Sequence, residues 1–276
     1  MGIVAFNWAE GGNNQLMLLM NRDNWGNRQV YVSYYDYIQT LVISKASWNR
    51  NGQILSGQCI YNKGTWFGTS KRGRVAFLVN TSLLLDRVKA NSGSELYPLH
   101  FLEGDMSPQQ FAEIVKQHEQ HSNERLVYSL IVADMTSNSM VHIRKPEADK
   151  SNVVIENVTF GVHTLSSYEG LDSTESPRDL RLSGLFSQMI VNLGNNPLPP
   201  LRDIAGKFMY DTEGERDAVC LETMDEHPSG NLDMQRYGTT STTALVVKHT
   251  REVMFFERFM DTNGGWDKHD FNFNIE

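Results

Sequence analysis

Two apolar runs at the head of the chain constrain the fold most. Residues 2–8 and 15–21 are separated by Glu10–Gly11–Gly12–Asn13–Asn14, a dense cluster of turn residues. Apolar runs of strand length around such a turn predict two adjacent strands. Gly2 stands directly in front of Ile3–Val4–Ala5–Phe6, and the second run leads into Asn21–Arg22–Asp23. Residue 2 therefore offers an amine if Met1 is removed, but neither the thiol nor the hydroxyl that a nucleophile needs.

Further strands are expected at 57–61, 66–68 and 75–80, punctuated by Gly64 and Gly73, with Asn80 at a strand end. Helices follow. One is expected over 92–102, with Ser92 and Glu95 in capping spacing, and one from Ser107–Pro108 to about His121, with Phe111, Ile114 and Val115 as its apolar stripe. Residues 126–134 and 139–144 predict a hairpin, and 153–155 and 158–162 two more strands. Pro177 opens a helix to about Leu193, with Leu180, Leu182, Leu185, Phe186 and Ile190 on or near one face; Pro197, Pro199 and Pro200 then break the pattern. A short helix is expected at 203–209, a long polar loop over 211–236, and a closing hairpin from 243–247 and 253–258. Strands, then helices, then strands again predict central sheets with helices on their outer faces. No linker divides the chain, so residues 1–276 are read as one domain.

With Lys+Arg 25 against Asp+Glu 33, the net charge of -8 argues against a nucleic-acid partner. Lys71–Arg72–Gly73–Arg74 reads as a turn rather than a phosphate track. Cys59 and Cys220 have no CxxC partner, which excludes a zinc ribbon and fits two free thiols. No stretch approaches the roughly 18 apolar residues of a membrane span, and no basic-then-apolar leader is visible.

Arg22 and Asp23 follow a strand, where a rigid rim can present charge to a ligand or where the two can simply pair. Gly64–Thr65–Trp66–Phe67–Gly68 reads first as a hairpin with a core tryptophan. Asn80 suits either an oxyanion donor or a turn cap. The hydroxyl run Thr239 to Thr243 suits a polar pocket mouth or cross-strand pairing. His118 and His121, three apart on one helix, read as surface histidines before they read as metal ligands. His163, after Phe160–Gly161–Val162, is the histidine best placed at a strand end to act as a haem ligand.

These short blocks, in this order, resemble the transport-and-Golgi-organisation protein 2 family, also called the NRDE family. The anchors are Asn21–Arg22–Asp23, Gly64–Thr65–Trp66–Phe67–Gly68, the strand from Arg74 to Asn80, Phe160–Gly161–Val162, Glu175–Ser176–Pro177 and Tyr237–Gly238–Thr239. The family is similar to hydrolases that use an N-terminal cysteine, so the resemblance implies an α+β fold, a four-layer αββα sandwich of N-terminal-nucleophile hydrolase type. Arg22, Asp23 and Asn80 match the family's residues. Gly2 stands where cysteine is expected, Thr164 where asparagine is, Thr240 where arginine is, and Asn24 where glutamate follows the Asn-Arg-Asp triplet.

Without the thiol, and with an oxyanion donor missing, covalent acyl transfer is not expected; one such donor is typically worth ~3–4 kcal/mol of barrier. The resemblance implies instead a non-catalytic haem chaperone or haem-trafficking protein, with haem as transported ligand and no other cofactor. It also implies haem-exporter or haem-acceptor proteins as partners, and a cytoplasmic site of action with mitochondrial association in some members. Trp66 and Phe67, with Phe160, would then offer ring-sized apolar surface, and Arg22, Arg74 or Lys71 would pair with propionates. The alternative is an amide or thioester hydrolase or acyltransferase acting on a lipid-like substrate, with Cys59 as the thiol to watch.

Overall fold

A computed structural model describes residues 2–25, 29–33, 36–39, 44–59, 62–80, 93–124, 126–166, 169–194, 196–214, 217–222, 224–226, 235–261 and 264–276. The strands are β1 Gly2–Trp8, β2 Asn14–Trp25, β3 Gln29–Ser33, β4 Asp36–Gln39, β5 Ser47–Asn49, β6 Ile54–Ser56, β7 Phe67–Ser70 and β8 Arg74–Asn80. Helices α1 Leu96–Glu103 and α2 Pro108–His121 come next. Then follow β9 Tyr128–Asp134, β10 Ser139–Lys145, β11 Val154–Asn157, β12 Gly161–Ser166, β13 Gly170–Leu171, α3 Pro177–Leu193, α4 Leu201–Phe208, β14 Met224–Glu226, β15 Gln235–Lys248, β16 Glu252–Met260 and β17 Trp266–Asn274.

One antiparallel sheet runs β13-β12-β1-β2-β15-β16-β17, with β14 also on β15; a second runs β11-β10-β9-β8-β7-β6-β5. Alternation along the strands assigns their faces. Val4, Phe6, Leu16, Leu18, Leu245 and Phe255 join Val75, Phe77, Ile131 and Ala133 in a core between the sheets. Ile3, Ala5, Met17, Leu19, Ala244 and Val246 turn the other way, onto Leu182 and Phe186 of α3 and Ile204 and Phe208 of α4. Phe101 and Phe111, from α1 and α2, meet edge to face at 5.3 Å. These helices cover the second sheet's outer face, which carries Leu130, Val132 and Val141 and where Tyr97 meets Tyr128. The architecture is therefore αββα. Phe6 meets Phe77 edge to face at 5.3 Å, a bridge between the sheets worth about 0.5–1.5 kcal/mol beyond area burial.

The α3 span agrees with expectation. Ser176 caps it, accepting from the Asp179 amide at 3.2 Å, and Pro177 sits where its missing N–H costs nothing. Ser107 and Gln110 form a reciprocal capping box at the head of α2.

Other expectations shift. Helix α1 starts at Leu96, with Glu95 as its N-cap and no side-chain cap; Ser92 lies outside the described residues. The strand expected at 57–61 lies earlier, at Ile54–Ser56, and residues 60 and 61 are outside the described set. The strands expected at 153–155 and 158–162 fall at Val154–Asn157 and Gly161–Ser166. Ile114 and Leu180 point outward, 47% and 51% exposed, because the buried faces of α2 and α3 centre on Phe111 and Val115 and on Leu182, Phe186 and Met189. Within the stretch expected as loop over 211–236, Met224–Glu226 and the start of β15 at Gln235 are strand; β15 runs 14 residues, and its hydroxyl run pairs against β2, the cross-strand alternative.

Candidate functional site

Gly2, Arg22 and the hydroxyl run come together at one end of the first sheet. Gly2 pairs with Arg22, Asp23 with Thr239, and Arg22 with Ser241. Thr240 is the extra residue of a β-bulge at that point, and its hydroxyl donates to the Arg22 carbonyl at 3.3 Å. Gly2 has φ of 152°, and a Cβ built there falls inside the contact radius of the Asn21 carbonyl oxygen and 3.2 Å from the Arg22 Cα. The backbone at residue 2 therefore leaves no room for a nucleophilic side chain.

Alternation sends Arg22 and Asp23 to opposite faces. Arg22 turns between the sheets, into a cavity of about 20 Å³ lined by Met20, Trp66, Phe67, Ser241, Thr243 and Glu257. That is room for about one water, so the Arg22, Trp66 and Phe67 cleft is too small for a macrocycle. Burial pulls the Arg22 guanidinium down to about 10, opposed by Glu257, Asp23 and Cys59, so it remains cationic at neutral pH. Trp66 is a core residue, 6% exposed. Asn80 is committed on both ends: its Oδ1 accepts from the Trp66 indole at 3.0 Å and its Nδ2 donates to the Ser94 hydroxyl at 3.0 Å. Asn80 reaches the Arg22 cavity only through Trp66.

Asp23 turns toward the helices. Its carboxylate accepts from Arg178 of α3 at 2.7 Å and from the Thr239 hydroxyl at 2.7 Å. Arg178 also donates to the Val219 carbonyl at 2.9 Å. Asn21, on the same face, donates to the carbonyls of Met209 and Val219 and accepts from Thr242. Sequence reasoning missed Arg178, although it directly follows Glu175–Ser176–Pro177; nothing in the local pattern ties it to a carboxylate 155 positions away.

The remaining candidates lie elsewhere. Thr164 is opposite Ala5, on the helix-facing side, and its backbone amide donates to Asp172. His163 has both ring nitrogens engaged, Nδ1 with Asp172 at 2.7 Å and Nε2 with the Thr159 carbonyl at 2.9 Å, so axial ligation would require breaking one of these bonds. Phe160 stacks on Trp8, at the far end of β1 from Gly2. Lys71 pairs with Glu276.

Neither thiol suits nucleophilic attack. Cys59 is fully buried. Burial pushes the Cys220 thiol up despite its hydrogen bond to Thr239, which leaves little thiolate.

Arg74 starts β8 and Asn80 ends it, roughly 20 Å apart at strand rise. Arg74 stacks on Phe101 at 3.9 Å and donates to the Met106 carbonyl. It lines a pocket of about 340 Å³ between α1 and α2, together with Leu96, Phe101, Met106, Phe111 and Ile114, and with His100 and His118. This volume lies in the range of small-molecule sites. Met106 and Ile114 are 44% and 47% exposed at this pocket.

His121 bonds back to the Gln117 carbonyl at 2.8 Å. Among the described residues no group of three His, Cys, Asp or Glu could hold a metal ion, and no helix is long and apolar enough to cross a membrane.

Similar chains include the transport and Golgi organization protein 2 homolog of Bos taurus, 24% identical over 267 residues, covering 89% of this chain and 87% of that one. The Mus musculus homolog is 22% identical over 95% of this chain and 93% of that one. Among solved structures, a cysteine-to-alanine mutant of the conjugated bile acid hydrolase from Clostridium perfringens aligns at TM-score 0.49 and 12% identity, over 100% of this chain and 98% of that one. An N-acylethanolamine-hydrolyzing acid amidase ortholog from Caenorhabditis elegans aligns at TM-score 0.47 and 11% identity, over 89% of this chain and 92% of that one. The family model for Transport and Golgi organisation 2 matches residues 1–262, and the chain belongs to that family.

Proposed function

We propose that this protein is a non-catalytic carrier of haem or a similar amphipathic ligand, handing its cargo to exporter or acceptor proteins in the cytoplasm or at the mitochondrion. The observation that carries the non-catalytic part is the backbone at Gly2: a side chain there would collide with the Asn21 carbonyl. An acyl-transfer mechanism has no attacking group at that position, and the thiols of Cys59 and Cys220 are respectively enclosed and poorly ionised. The apolar α1–α2 pocket supports a binding role, because its size and lining suit an amphipathic ring better than the Arg22 cavity does. Haem titration followed by the Soret band, with transfer to an apo-acceptor protein, tests the reading. Saturable binding and accelerated transfer are expected; a featureless titration and an unchanged transfer rate would overturn it.

The second reading is a hydrolase or acyltransferase for a lipid-like amide or thioester. It is favoured by the retained Arg22 and Asp23 beside residue 2. Covalent labelling by an acyl-directed electrophile, abolished by Cys59→Ala or Cys220→Ala, would establish it.

A further inference from the structure

We infer that the pocket between α1 and α2 holds the ring of a metalloporphyrin, with Nε2 of His118 as the axial ligand and Arg74 facing the ring's carboxylates. This rests on the carrier reading above and names its site. The hydrogen-bond chain behind the histidine sets its proton. Tyr97 has one hydroxyl proton, and its oxygen lies 2.6 Å from Glu119 Oε1 and 3.0 Å from His118 Nδ1. Glu119 is completely buried and lies 3.0 Å from the equally buried Lys145 ammonium. A carboxylate so paired is an acceptor, and Tyr128 also donates to it, at 3.3 Å. The Tyr97 proton therefore goes to Glu119, and the phenol oxygen must accept from His118.

That fixes the tautomer. Neutral His118 carries its proton on Nδ1 and its lone pair on Nε2, for which no hydrogen bond is found among the described residues. An imidazole whose far nitrogen is held by a polar chain is how proteins orient a metal ligand.

The ligand class follows from what surrounds that nitrogen. No group of three ligating side chains exists among the described residues, so a bare ion has too few partners here. A metal that brings its own equatorial nitrogens needs one axial donor and an apolar wall. Leu96, Phe101, Met106, Phe111, Ile114 and Val115 supply the wall. Arg74, 5% exposed, has a buried Nε without a hydrogen-bond partner, and it supplies positive charge for a carboxylate.

The test uses the full chain, titrated with ferric haem and, separately, with metal-free protoporphyrin. His118→Ala is expected to weaken haem binding at least tenfold and to shift the Soret band, while metal-free protoporphyrin binds within twofold of wild type. Tyr97→Phe, which keeps His118 but removes the acceptor at Nδ1, is expected to change the Soret position and to weaken haem binding less than His118→Ala does. Haem dimethyl ester should bind more weakly than haem. Unchanged haem affinity and spectrum in His118→Ala overturn the site while the carrier reading stands. A wild-type chain that binds no haem overturns both. Circular dichroism of each variant excludes loss of fold, which surface-exposed His118 should not cause.

Discussion

Replacing Gly2 with alanine tests whether residue 2 has lost the room for a side chain as well as the side chain itself. At φ of 152° only glycine is at ease, and forcing another residue there costs about 1–3 kcal/mol. The new Cβ must also displace the Asn21 carbonyl, which is tied into β2, and such overpacking costs a further ~1–3 kcal/mol. Gly2 begins its strand, so peeling back the Gly2–Arg22 pair caps the total. A loss of about 2 kcal/mol is expected, seen in urea as a lower midpoint with unchanged slope and in a thermal melt as a fall of roughly 4–8 °C. Gly12→Ala is the control for backbone strain alone, since Gly12 has φ of 91° and nothing within 4 Å of a Cβ; Gly11→Ala, in open space, should be silent. If Gly2→Ala melts with wild type, the crowding argument is wrong. The functional arm is Gly2→Cys freed of Met1: no acyl adduct on the introduced thiol is expected from an activated ester. A stoichiometric burst on that thiol would show that the catalytic frame is intact and only its nucleophile missing.

Asp23→Ala strands Arg178 beside the Val219 carbonyl and should cost about 3–5 kcal/mol in urea melts. A double-mutant cycle with Arg178→Met should return a coupling of roughly 1–3 kcal/mol, and zero coupling would contradict the pair. Lys145→Met leaves a fully buried Glu119 without its cation, with a similar expected loss of about 3–5 kcal/mol; adding Glu119→Gln should recover most of it. Two histidines should shape stability against pH in opposite senses. Burial outweighs Glu156 and holds His142 down to about 4, so its contribution is complete above 6.5 and disappears as pH falls toward 4. Burial alone would lower His163, but the Asp172 hydrogen bond and charge outweigh it and raise it above 6.5. Its contribution is complete below 6.5 and fades as pH rises through the raised value. Asp172→Asn should flatten that alkaline limb in urea melts at a series of pH values, and an unaltered limb would refute the assignment.

Much of the architecture was legible because it is written in local chemistry. The turn at Glu10–Asn14 separates β1 from β2, Pro177 after Ser176 starts α3, and the central run of helices between strand-rich ends implies layers. The errors came where the pattern is polar. β15 begins at Gln235, inside the polar stretch that reads as loop, and its hydroxyl run suits a pocket mouth or a strand equally until β2 and β16 lie beside it. β17 mixes charges with Phe271 and Phe273 on an edge, where only one side of the strand meets the core. The candidate residues divided for a geometric reason. Arg22 and Asp23 are neighbours in sequence and so face opposite sides of a strand. Arg74 and Asn80 are six apart and so sit at its two ends.

By itself the sequence determined the layered α+β class, the family, and the absence of a nucleophile at residue 2, because each rests on residue identity or on periodicity along the chain. Only the tertiary structure decided that Asp23 belongs to Arg178, that the Arg22 cavity holds little more than a water, and that His118 lines an apolar pocket with its Nδ1 beside the Tyr97 hydroxyl. Those outcomes depend on distances between segments far apart in the chain, which strand register and helix docking set and which no local pattern encodes.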